Sequence, residues 1–139
     1  MNRIWTALLT VPLSLAGCGG DSPTGTQNPA PPAAQANDIG IVVGASQLTT
    51  AAFSPNPKVV SLGANPSVAV RWVNGDISGG SYTTGTATIH NIASDNAAFA
   101  ASGSLAGNAT YSATLTATGD YPYHCTIHPN MVGTVTVSP

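Results

Sequence analysis

The chain has 139 residues with three Lys/Arg, five Asp/Glu, 15 Gly and 11 Pro, a length that suits one domain with appendages. Lys58 and Arg71 are the only bases beyond residue 3, which excludes a basic face for nucleic acid. Abundant Val, Thr, Ser and Ala among the turn formers favour β structure over helix, and a net charge of −2 leaves partners to be met by shape and apolar contact with weak steering.

The N-terminus reads as a targeting segment. "MNR" supplies positive charge, and "IWTALLTVPLSLAG" is a short apolar run interrupted by Pro12, too short for a membrane span. It leads into Leu15-Ala16-Gly17-Cys18, which resembles a bacterial lipobox. That resemblance implies a lipoprotein signal peptide over residues 1–17, lipid on Cys18 and a cell-envelope protein exported from the cytoplasm and anchored at a membrane by its acyl chains. An ordinary secretory signal with a chance cysteine is the plainer alternative. If Cys18 carries lipid, Cys125, the other of the two cysteines, has no disulfide partner in the chain.

Residues 18–37 follow with no large apolar side chain. A Pro-rich, polar stretch of this kind buries too little surface to fold. It reads as a disordered tether, extending by at most about 3.1 Å per residue.

From Asp38 the pattern changes. "DIGIVV", "KVVSLG", "PSVAVRWVN", "TTGTATIHN", "ATYSATLTA", "GDYPYHC" and "GTVTVSP" are β-branched runs broken by Pro, Gly and Asn. Their spacing predicts an all-β, Greek-key sandwich over residues 38–139. One short helical turn is expected in "ASDNAAFAAS", Ala93 to Ser102, capped by Ser94 or Asp95. Trp72 reads as core; Tyr111, Tyr121 and Tyr123 read as core or sandwich-corner residues.

The chemistry concentrates in "YPYHCTIHPNMVGTVTV", Tyr121 to Val137. Cys125 ends an apparent strand, so alternation puts Tyr121, Tyr123 and Cys125 on one face and Pro122 and His124 on the other. His128 and Met131 follow at intervals of three and curl back over the sulfur. Thiolate plus thioether favours copper over zinc, and two nitrogens, one thiolate and a weak Met form the blue-copper ligand set. The second nitrogen must come from elsewhere. His90, ending the strand of "TATIHN", is the candidate; His124 faces away and reads as a packing or hydrogen-bonding residue.

This segment resembles the copper loop of the cupredoxins, the plastocyanin and amicyanin family, and "HN" at His90-Asn91 resembles that family's first-ligand motif. The resemblance covers about Asp38 to Pro139. It implies a cupredoxin fold and one copper ion held by His90, Cys125, His128 and, weakly, Met131, with Asn91 tying the two ligand loops together. Two departures stand out. Asp76 and His90 are separated by "ISGGSYTTGTATI", an insertion that forms an extra hairpin beside the site, a partner contact or a harmless excursion. Ile127 stands where several relatives have proline, and its backbone N–H is placed to reach the Cys125 sulfur. Such a bond favours Cu(I) and raises the potential.

The function these features support is a non-enzymatic, monomeric carrier of single electrons. A redox protein would dock near His128, Pro129 and Met131, with Ile127 or Val132 completing an apolar patch. Copper storage or delivery on the cell envelope is the alternative. Copper oxidases and nitrite reductases need further histidine clusters, and the chain has three histidines in all. A cysteine hydrolase built on Cys125 and His128 needs an exposed thiolate, whereas alternation buries this one. A metal-free adhesive sandwich completes the set.

Overall fold

The computed structural model describes residues 28–78 and 85–139. The expected signal peptide, Cys18 and the first part of the tether lie outside the described residues, as do residues 79–84 of the insertion. Eight strands form two four-stranded sheets: β1 (Asp38–Ile41), β2 (Phe53–Ser54), β3 (Lys58–Ser61), β4 (Val68–Asn74), β5 (Ala93–Ser94), β6 (Thr110–Leu115), β7 (Gly119–His124) and β8 (Val132–Ser138). One sheet has the order β2-β1-β4-β6 and the other β3-β8-β7-β5. Among the described strands, β1–β2 and β7–β8 are neighbours in both sequence and sheet, while every other consecutive pair changes sheet. The expected all-β sandwich is the observed architecture.

Alternation explains which side chains meet between the sheets. Along β4, Val70, Trp72 and Asn74 are buried while Ala69 is exposed. Along β8, Gly133, Val135 and Val137 point inward. Trp72 and Phe53 both pack edge-on against Tyr123, with ring centroids 5.1 and 4.9 Å apart. Gly133 lies opposite Tyr123 across the β7–β8 ladder. A Cβ there would come within 2.4 Å of the Tyr123 ring, so glycine is the residue that lets the ring lie flat over the strand. Tyr121 makes the corner contact, its hydroxyl donating to the carbonyl of Ala117 at 2.7 Å.

Three local expectations need correction. Ala93 and Ser94 pair with His124 and Tyr123 instead of starting a helical turn. Ala97 adopts a φ of 56°, which stops a helix, and the Ser94 hydroxyl closes a bend by accepting the Ala98 N–H at 3.0 Å. His90 does not end a strand; it forms an isolated bridge with Leu105. The last part of the tether is not free of the domain. The Arg71 guanidinium donates to the Ala33 carbonyl, Lys58 Nζ to that of Ala36, and the Asn108 amide to that of Pro29. The segment lacks apolar side chains to bury, but its carbonyls accept from side chains of the sandwich. Both cations of the domain are used in this way, and Arg71 also holds Asp38 through two hydrogen bonds of 2.7 Å.

The insertion after Asp76 leaves the sandwich as an antiparallel pair. Ile77 bridges Ala87, the Ser78 N–H donates to the Thr86 carbonyl at 3.0 Å, and the Thr88 N–H donates to the Asp76 carbonyl at 3.0 Å. The base of the extra excursion is therefore hairpin-like and stands next to the segment that carries His90.

Candidate metal centre

β7 delivers Cys125 at its end, and the connection to β8 is folded into a compact bend. The Met131 N–H donates to the His128 carbonyl at 2.9 Å, and the Cys125 N–H donates to the Met131 carbonyl at 3.1 Å. These bonds return the chain on itself within seven residues and set His128 beside the sulfur, with Met131 in the same buried cluster. Cys125 and Met131 are fully buried in one cluster, and His128 is half-buried.

His90 comes from the segment between the insertion and β5. Its backbone exchanges hydrogen bonds with Leu105, at 3.2 and 2.7 Å, and its ring is fully buried. Nδ1 of His90 lies 3.9 Å from the Cys125 sulfur and 3.2 Å from Nδ1 of His128, which is 3.9 Å from the sulfur. The point equidistant from these three atoms is about 2.1 Å from each, within the range of metal–nitrogen and metal–sulfur bonds of roughly 2.0–2.3 Å. The donor set therefore fits one small metal ion. The two Nδ1 atoms face each other at 3.2 Å, a spacing that a shared metal ion also suits.

The tautomer of His90 follows from its other nitrogen. Nε2 lies 2.9 Å from Oδ2 of Asp76, a carboxylate that only accepts, so Nε2 carries a proton and Nδ1 is the nitrogen that faces the sulfur and His128. Asp76 is itself buried. Its second oxygen accepts the Gly44 N–H at 2.7 Å, and its own N–H donates to the Asn74 side chain at 3.0 Å. Asn74 is buried as well, and its amide donates to the carbonyls of Thr88 and Leu105, both at 2.8 Å. The His90 segment is thus held at its ring and on both sides of its backbone.

Asn91 joins the two ligand segments. Its side-chain amide donates to the Thr126 hydroxyl at 2.6 Å and its carbonyl oxygen accepts the Thr126 N–H at 2.8 Å. Its backbone N–H donates to the Cys125 sulfur at 3.5 Å. Burial pushes the Cys125 thiol up, but the His90 imidazole and the amides of Asn91, His128 and Ile127 outweigh it and hold the group at about 6. The site therefore presents a thiolate at neutral pH. Burial pushes His90 down, and the sulfur and the Asp76 carboxylate more than reverse that.

The residues singled out from sequence divide clearly. His90, Cys125 and His128 converge. His124 turns away and pairs with Asp95 at the surface. Met131 is fully buried, so it adds nothing to a docking face, contrary to expectation; Ile127, Val132 and Ile89 supply the exposed apolar side chains near the ligand loops. Two contributors escaped sequence reasoning. The Asn91 N–H is the closest amide donor to the sulfur, and only its adjacency to His90 hinted at that. Asp76 gave no sign of binding His90, since its burial is set by the fold.

A family model described as copper binding proteins, plastocyanin/azurin family, matches residues 43–138. The chain belongs to that family. The four side chains accordingly make one type 1 copper site, His90, Cys125, His128 and Met131. Among solved structures, a purple cupredoxin from Nitrosopumilus maritimus superposes with a TM-score of 0.58 and 27% identity, over 73% of this chain and 98% of its own. The reduced, Cu(I) form of a point mutant of amicyanin gives a TM-score of 0.52 at 24% identity, over 76% of this chain and 87% of its own. The second likeness is one of fold. No curated protein sequence matches the chain.

Proposed function

We propose that this protein carries single electrons between redox proteins outside the cytoplasmic membrane. The observation that supports this reading is a closed, buried donor set whose members are fixed by separate hydrogen bonds: Asp76 on His90, Asn91 on the sulfur and the backbone bend on His128 and Met131. Such a cage would hold one copper ion, which would supply a Cu(II)/Cu(I) couple with little rearrangement of these ligands. The half-buried His128 gives electrons their shortest way out, and exposed Ile127, Pro129 and Val132 border it. A partner docks there through a small apolar contact. The same reading takes residues 1–17 as a lipoprotein signal, Cys18 as the lipid attachment point, and the chain as a monomer tethered at the cell envelope.

The test is to add Cu(II) to the purified domain. Intense visible absorption from thiolate charge transfer, saturating at one copper per chain, with reversible one-electron voltammetry, supports the carrier. Copper lost rapidly to a mild chelator, without reversible voltammetry, supports delivery or storage instead. For the anchor, Cys18→Ser should abolish metabolic incorporation of labelled fatty acid and release the protein from membranes; unchanged labelling would remove the lipid assignment.

A further inference from the structure

The buried carboxylate of Asp76 does more than fill the space behind His90. It is 3% exposed, and among the described residues its one ion-pair partner is His90. Neither cation of the domain reaches it: Arg71 binds Asp38 and Ala33, and Lys58 binds Ala36. The carboxylate's two hydrogen bonds are to His90 Nε2 and to the Gly44 amide, while the backbone of Asp76 donates to Asn74 and accepts from Thr88. None brings a fixed positive charge. A buried carboxylate without a permanent counter-charge is costly, and the compensation available lies on the far side of the imidazole, where the metal sits.

We propose that Asp76 is a positioning residue that sets the reduction potential of the copper, locking His90 with its bare nitrogen on the metal and favouring Cu(II) through its uncompensated charge. This rests on the electron-carrier reading of the site. The thiolate and the carboxylate together balance the charge of Cu(II). An electron donated by a redox partner would give Cu(I) and leave the pocket with one negative charge in excess. The low-dielectric interior makes that excess count. Asp76 also ties the His90 segment to the loop at Gly44, whose N–H donates to the carboxylate at 2.7 Å.

The variant Asp76→Asn removes the charge at nearly constant volume. Its side chain can accept from only one of the two donors, His90 or Gly44. The expected result is a midpoint potential raised by about 59 mV or more, a tenfold shift toward Cu(I), with the charge-transfer absorption retained. Asp120→Asn, the same charge change on the exposed side of β7, should leave the midpoint in place. A folded, copper-loaded Asp76→Asn with an unchanged or lowered midpoint overturns the proposal. Should that variant fail to fold, nitrogen-15 NMR of the wild-type domain without metal decides: a slowly exchanging proton on His90 Nε2 is expected, and a proton on Nδ1 instead overturns it. The NMR experiment needs no copper. A wild-type protein that shows no thiolate absorption with Cu(II) therefore fails the carrier reading separately, without bearing on the Asp76 hydrogen bond.

Discussion

The two segments that build the centre are organised in opposite ways. The Cys125–Met131 bend brings three donors within seven residues and is closed by two of its own backbone hydrogen bonds. His90 contributes one donor, stands 35 residues away from Cys125 in sequence, and is held by Asp76 and Leu105, which Asn74 ties together, all remote from the bend. A contiguous loop fixes a metal's identity through its ligand types. A remote ligand fixed by buried polar groups sets how firmly, and at what potential, that metal is held.

The largest effect expected is on the bend. Cys125→Ser should eliminate the charge-transfer absorption entirely, because the sulfur is its source; a retained band in the visible spectrum would place the thiolate elsewhere. Gly133→Ala drives a Cβ into the Tyr123 ring on the strand that follows the bend. Denaturant unfolding should show a loss of about 1–3 kcal/mol, and a midpoint equal to wild type would mean that the ring moves freely aside. Asn91→Ala cuts the link between the two segments, and copper affinity by competitive chelation should fall about 10-fold or more. If affinity holds, the segments are positioned independently.

Acid titration acts on the same junction. Copper must displace the thiol proton, and the thiol is held at about 6. Above that value the thiolate is already formed, so this group adds little pH dependence to metal binding. Below it the affinity should fall by about tenfold per pH unit from this group. Protonation of His90, whose raised value acts in the same direction, makes the fall steeper. Binding that is flat through acid pH would contradict a shared thiolate–imidazole site. The smallest effect is reserved for Ile127→Pro. It removes one of the weaker amides acting on the sulfur, and the midpoint should fall slightly; an unchanged or raised midpoint counts against any role for that N–H.

This contrast also marks what could be read without coordinates. Period-two alternation predicted that Tyr123 and Cys125 point inward and His124 outward, because an antiparallel strand paired on both sides obeys it directly. Spacing alone gathered Cys125, His128 and Met131. The Ala93–Ser102 turn was misread because pairing with β7 overrode local helix signals. The order of residues 28–37 depends on Arg71, Lys58 and Asn108, none of which is near them in sequence. Asp76 was invisible for a related reason. An acidic residue before an insertion reads as solvated until the fold buries it beside His90.

The most direct test of convergence is copper-edge X-ray absorption on the loaded domain. One sulfur and two nitrogens at roughly 2.0–2.3 Å from a single copper, with one nitrogen lost in His90→Ala, is the expected result. A copper without sulfur at bonding distance, or an unchanged nitrogen count in that variant, would contradict it.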